Sequence, residues 1–214
     1  MADALGWWLA AITVAVLLAY QVLLAAAGRR RPQRLARAAH ATLREQWFVA
    51  VSAQKGSEVL GVQTLRNSLM SATMTASTSV LALMGTVTLA APSLDATFRG
   101  TGLPQFTPRL AMELVLIALL FASLVASVMA VRYYHHAGFI VGMPVESQAR
   151  REWSEAGVAY LGKAGRLYGW SLRYLLLVVP VVAFILHPVT GPVAAVLVAG
   201  VLYGFDRFSP AAIR

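Results

Sequence analysis

Residues 5–27 run for 23 positions, LGWWLAAITVAVLLAYQVLLAAA, without one charged side chain. No other feature limits the possible folds of this chain so severely. At 1.5 Å of rise per residue, roughly 20 apolar residues in a helix cross the ~30 Å hydrocarbon core of a bilayer. Backbone N–H and C=O groups inside that core meet no water, so only helices and closed barrels satisfy them. Further apolar windows recur at 65–91, 110–131 and 174–205. The chain is 58% hydrophobic and only 13% charged, about half the charge of an ordinary soluble domain. These windows predict an all-α, polytopic transmembrane helical bundle occupying 1–214 as a single domain.

The arginines set the expected topology. Arg29, Arg30 and Arg31 follow the first span directly, and Arg34, Arg37 and Arg44 come soon after. Positive charge marks the cytoplasmic side, which puts the N-terminus outside. Asp3 is the only charge ahead of the span, and the run is longer than the apolar core of a signal peptide. A net charge of +9 in a soluble protein would suggest nucleic acid. Here the basic residues flank apolar spans, so anionic lipid headgroups at the cytoplasmic face are the expected partners and nucleic acid is not. The absence of cysteine excludes disulfides, thiol nucleophiles and thiolate metal sites.

From Pro32 to Val51 the pattern predicts a basic amphipathic cytoplasmic helix. Leu35, Ala39, Leu43, Trp47 and Val51 recur at i+4, apart from a stripe of Arg30, Arg34, Arg37 and Arg44. Such a helix lies on the membrane surface or packs on the protein's own cytoplasmic face. Gln54, Lys55, Gly56 and Ser57 read as a turn.

The final apolar region holds His187, Pro188, Val189, Thr190, Gly191 and Pro192 at its centre. Two prolines and a glycine break a helix, so a hairpin is expected. The spans are then 5–27, 65–91, 110–131, 169–187 and 192–208, with cytoplasmic segments 28–64 and 132–168. Five spans place the C-terminus inside and leave Arg99 and Arg109 as the only external basic residues. Four spans, with one kinked final helix, would put Arg207 and Arg214 outside as well. The hairpin also brings Arg173 and Asp206 to similar depth as a candidate ion pair.

The second span carries eight hydroxyls between Thr64 and Ser79. Thr64, Ser68, Ser71, Thr75, Thr78, Ala82 and Gly85 form a small-residue stripe of 3.5-residue period, the pattern of left-handed helix packing. The stripe predicts a seam with this helix at the centre of the bundle. Ala118, Ala122, Ala126 and Ala130, beside Ser123 and Ser127, form a second small face, and Gly200 with Gly204 a third. The other reading of the polar helix is a hydrated cavity or solute path. Gln63, Thr64, Arg66, Asn67, Ser68, Ser71 and Thr75 are then its candidate solute or anion site. Free N–H groups at a helix start would assist Arg66 there; the plainer role for Arg66 is a positive-inside charge paired with Glu58.

His135 and His136 are candidates for a ligand or proton relay, or for headgroup anchors at the interface. Glu113, four residues after Arg109, is a candidate relay carboxylate or an i,i+4 ion-pair partner. No zinc spacing, Walker loop, dinucleotide fingerprint or nucleophile elbow occurs, and the GKAG at 162–165 is too short for a P-loop. No metal, cofactor or catalytic residue is expected, and an enzyme is the least favoured class.

The block VLGVQTLRNSLMSATMTAST at 59–78 resembles the signature of domain-of-unknown-function family 599, multi-pass membrane proteins of bacteria and plants. Four further places are similar: Trp47, the stretch Tyr134 to Phe139, the Gly191-Pro192 pair, and an ending with Leu202, Tyr203 and Asp206. The resemblance implies the multi-pass architecture and carries no activity. The expected location is the bacterial cytoplasmic (inner) membrane. The expected function is a structural or accessory subunit, packing in a homo-oligomer or a larger membrane complex. The alternative is a transporter or channel for a small, anionic solute along the polar second helix.

Overall fold

The computed structural model describes residues 2–30, 35–99 and 106–207. Six helices follow one another: α1 (Ala2–Arg30), α2 (Ala36–Ala53), α3 (Glu58–Arg99), α4 (Pro108–Gly142), α5 (Gln148–Leu186) and α6 (Thr190–Asp206). No strand occurs among the described residues. α1, α3, α4 and α5 are each long and apolar enough to cross a membrane, while α6 is a shorter apolar helix of 17 residues. Pro32, the residues 100–105 of the expected outer loop, and Phe208 and Arg214 lie outside the described residues.

The long helices overrun the expected spans. α3 begins at Glu58 rather than 65 and continues through Pro92 to Arg99. A proline inside a helix removes one N–H bond and crowds the preceding turn. α3 nonetheless stays helical across it, so Pro92 does not open the loop as expected. α4 likewise continues past 131, and α5 starts well before 169.

The described residues group into two compact units. One draws on Met1–Pro32, Ser79–Ala122 and Arg173–Arg207. Its core joins Ala10, Met112, Leu116, Leu120, Val181 and Phe184, with a second cluster of Leu17, Leu177, Ala195 and Leu202. In this unit the chain doubles back at 187–189. Pro188 has no N–H to extend α5, and the Thr190 hydroxyl donates to the Ala183 and His187 carbonyls (2.6 and 2.8 Å), which also accept the backbone N–H groups of His187 and Thr190. Gly191 is buried where α6 meets α5 and α1. A Cβ on it would lie 2.8 Å from both Phe184 Cβ and Thr13 Oγ1, so only glycine fits without displacement. Arg173 and Asp206 touch across the hairpin. A continuous helix would hold them roughly 50 Å apart, which excludes the single kinked final helix.

The other unit draws on Gln33–Thr78 and Ser123–Leu172. Its core contains Phe48, Leu65, Ala72, Ala130, Tyr134 and Leu161. Of the two placements expected for α2, packing on the protein is the one observed. Phe48 is fully buried, against Gly157 of α5. The assigned apolar stripe is rotated from the true one: Leu43 is 62% exposed, and Arg44, assigned to the separate arginine stripe, turns inward onto Gly165. Phe48 outweighs Leu43 in buried area, and this sets the rotation.

Arg150, a basic residue of the expected cytoplasmic segment 132–168, is only 2% exposed. Its Nη1 donates to the Ile140 carbonyl in the last turn of α4, its Nη2 donates to Ser52 Oγ (2.8 Å), and its guanidinium stacks on Phe48 at 5.4 Å. It therefore adds a charged donor to the end of α4, where the Ile140 carbonyl also accepts the Met143 N–H. Close by, Glu58 Oε1 accepts from the Val145 N–H (3.1 Å) and Lys55 pairs with Glu146 (3.1 Å). Three side chains from the α2–α3 junction thus hold the α4–α5 connection.

Replacing Arg150 with alanine is expected to lower stability by about 2–3 kcal/mol, the loss of hydrogen bonds from a charged donor. Arg150→Lys keeps the charge without the planar fork and recovers little of it. Arg151→Ala, at an exposed neighbour, changes stability by less than ~0.5 kcal/mol. Equilibrium unfolding in mixed micelles checks all three.

Candidate functional site

Ionisable groups inside apolar helices are costly, so those that occur mark either a structural lock or a site. The most buried pair joins α5 and α6. Arg173 Nη2 donates to Asp206 Oδ1, with the two side chains 13% and 15% exposed. The Tyr20 hydroxyl of α1 donates to the other oxygen, Asp206 Oδ2. Both carboxylate oxygens are engaged, so one aspartate ties three helices together. Tyr20 was not singled out from the sequence. The signal available was a Tyr-Gln pair near the end of an otherwise apolar span.

The polar face of α3 differs most from expectation. Because the helix begins at Glu58, residues 63–68 lie in its second and third turns, not at its N-terminus. Their N–H groups belong to the helix ladder, and the free donors proposed to assist Arg66 are not there. Gln63, Thr64, Arg66, Asn67 and Ser71 are exposed, Ser68 is half-buried and Thr75 is buried. Hydroxyls at Thr64, Ser68, Ser71, Thr73, Thr75 and Thr78 donate to carbonyls four residues back, at 2.9–3.4 Å. Each hydroxyl is satisfied by its own helix.

The expected seam is also rotated. α3 buries Gly61, Leu65, Ala72, Thr75 and Ser79, whereas Thr64, Ser71, Thr78, Ala82 and Gly85 face outward. Nothing lies within 4 Å of a Cβ built on Gly85, and the same holds for Gly200 and Gly204. Periodicity marked a small face, but a period alone does not say which neighbour covers it.

Hydroxyls do join helices elsewhere. Ser123 and Ser127 of α4 meet Ser171 of α5, all three fully buried. Ser123 Oγ donates to the Ser171 carbonyl and Ser171 Oγ to the Ser123 carbonyl, both at 3.1 Å, and Ser127 Oγ contacts Ser171 Oγ. Reciprocal bonds of this kind hold helices together where the hydrophobic effect does not. The sequence marked Ser123 and Ser127 but offered nothing to distinguish Ser171.

His135 and His136 are both exposed, and His136 packs against the Tyr160 ring at 5.5 Å. Glu113 is 6% exposed and its Oε1 accepts from Arg109 Nε (3.0 Å), the i,i+4 pair expected. Among the described residues no three His, Cys, Asp or Glu side chains converge as metal ligands.

The Arg173–Asp206 contact predicts a specific hierarchy. Asp206→Asn leaves a buried guanidinium without its counter-charge and is expected to cost about 3–5 kcal/mol. Tyr20→Phe removes one hydrogen bond and costs about 1 kcal/mol. The double variant Arg173→Met/Asp206→Leu is expected to lie much closer to wild type than Asp206→Asn. Unfolding titrations of the four proteins check the order.

No curated protein and no solved structure matches this chain. The model of the family described as "Protein of unknown function, DUF599" matches residues 8–211. That match takes in all six helices apart from the first turns of α1. It includes the Tyr20–Asp206–Arg173 cluster, and the chain therefore belongs to the DUF599 family.

Proposed function

We propose that this chain is a structural or accessory subunit of a bacterial cytoplasmic membrane that packs through α3 against a second copy of itself. In this reading it crosses the membrane five times, N-terminus outside and C-terminus in the cytoplasm. α6, about 26 Å long, makes the fifth crossing.

The observation that carries the reading is the outward small face of α3. Thr64, Ser71, Thr78 and Gly85 recur every seven residues and are exposed, with Met74 (69% exposed) and Leu81 (71%) between them. Small positions alternate with large ones on a single stripe. Such a face is self-complementary: the methionine and leucine of one copy fit the gaps at serine, threonine and glycine of the other. Close approach of backbones at small residues drives association in lipid. The hydroxyls on the stripe already bond to their own helix, so packing leaves none of them unsatisfied. That internal satisfaction favours a packed face over a lining for a solute path.

The chain has no cysteine, so single-cysteine variants report one position each. Oxidative cross-linking in native membranes is expected to give dimers for Ser71→Cys and Thr78→Cys. Thr73→Cys, on the far side of α3, should stay monomeric. Equal cross-linking at all three positions, or at none, would contradict the proposal.

A further inference from the structure

Two guanidinium groups converge on the α2–α5 contact, and among the described residues no ion pair joins either of them to a carboxylate. Arg44 projects from α2 onto the backbone of α5 at Gly165. A Cβ on that glycine would lie 2.5 Å from Arg44 Nε and Cζ and 2.9 Å from Nη1. One turn earlier on the same face of α5, a Cβ on Gly162 would lie 3.5 Å from Arg166 Nη1. The GKAG stretch therefore forms a bare floor under two arginines. Arg44 Nε is buried and makes no hydrogen bond. The ion pairs among the described residues join other groups, Lys55 with Glu146, Arg109 with Glu113 and Arg173 with Asp206. Burial pushes the Arg44 pKa down and the like charge of Arg166 adds to this, offset in part by Tyr134. Arginine nonetheless stays protonated throughout the physiological range. A buried donor beside a second cation is the arrangement that a bound anion relieves.

We infer that Arg44 and Arg166, over the floor of Gly162 and Gly165, bind a phosphate group. Guanidinium forks match the oxygens of a phosphate and hold it with charge-assisted hydrogen bonds. The missing Cβ at Gly165 lets the Arg44 guanidinium lie directly on the α5 backbone, one turn from the Arg166 guanidinium. The phosphate belongs either to the headgroup of an anionic lipid or to a free ion. Both offer the same oxygens, and the site lies beside the expected cytoplasmic interface, where anionic lipids concentrate. The inference does not depend on self-association through α3, which involves a different surface.

The test uses the full chain, purified and returned to nanodiscs containing equal phosphatidylglycerol and phosphatidylcholine. Native mass spectrometry reads which lipid is retained, and a parallel inorganic phosphate titration in detergent reads the melting temperature. Retention of phosphatidylglycerol over phosphatidylcholine supports the site with a lipid source. A melting temperature that rises with phosphate, without lipid preference, supports it with a free ion. Either signal is expected to fall at least tenfold in Arg44→Gln, Arg166→Gln and Gly165→Ala, and to persist in Arg37→Gln. Arg166 is exposed, and an alanine at Gly165 need only displace the end of the Arg44 side chain, so these two variants retain the fold if Arg44→Gln does not. Absence of both signals, or signals unchanged in Arg166→Gln and Gly165→Ala, would overturn the inference.

Discussion

A guanidinium and a carboxylate shielded from water must find each other, and in this chain their meeting fixes how the last third folds. Arg173 and Asp206 are 33 residues apart and in contact. Two helices joined at a proline could otherwise run on as one long rod. The pair requires α6 to return alongside α5, and Tyr20 adds α1 to the same carboxylate. Gly191 then fits where it does because α6 must start against Phe184 and Thr13. Burying two charges is itself unfavourable, so the stabilisation relative to an apolar pair is small. What the pair confers is specificity of register and direction, since any other arrangement strands a charge.

Hydroxyls are used in two different ways. Along α3 they bond back to their own helix and leave its surface free of unmet donors. Between α4 and α5 the three buried serines bond across, and the helices close on them. The same side chain types therefore yield a neutral face in one place and a joint in another. What differs is the neighbour: Ser123 and Ser171 have small residues opposite, while Ser71 and Thr78 are exposed among the described residues.

Much of the fold was legible in the sequence because membrane spans are dictated by length and polarity alone. The four long apolar helices, the break at Pro188 and the Arg173–Asp206 pairing each follow from a local rule about charge, proline or helical rise. Rotation about each helix axis was not legible. A 3.5-residue stripe shows that a face is small, yet the buried face of α3 lies about a quarter turn away, at Leu65, Ala72 and Ser79. Arg44 and Arg150 were hidden for a related reason. An arginine in a cytoplasmic segment satisfies the charge rule wherever it points, and only the packing shows that Arg150 turns onto Phe48 and Arg44 onto Gly165. The anion site expected around Arg66 depended on where α3 starts, and an error of about two turns removed its free N–H groups.

The proposed topology has α6 returning across the membrane, with the two ends of the chain on opposite sides. Cysteine-free protein allows this to be measured directly, with an impermeant maleimide applied to intact cells expressing Ala2→Cys or Arg207→Cys. With that topology the cysteine at position 2 is labelled from outside and that at 207 only after the membrane is permeabilised. Labelling of both from the same side would contradict it.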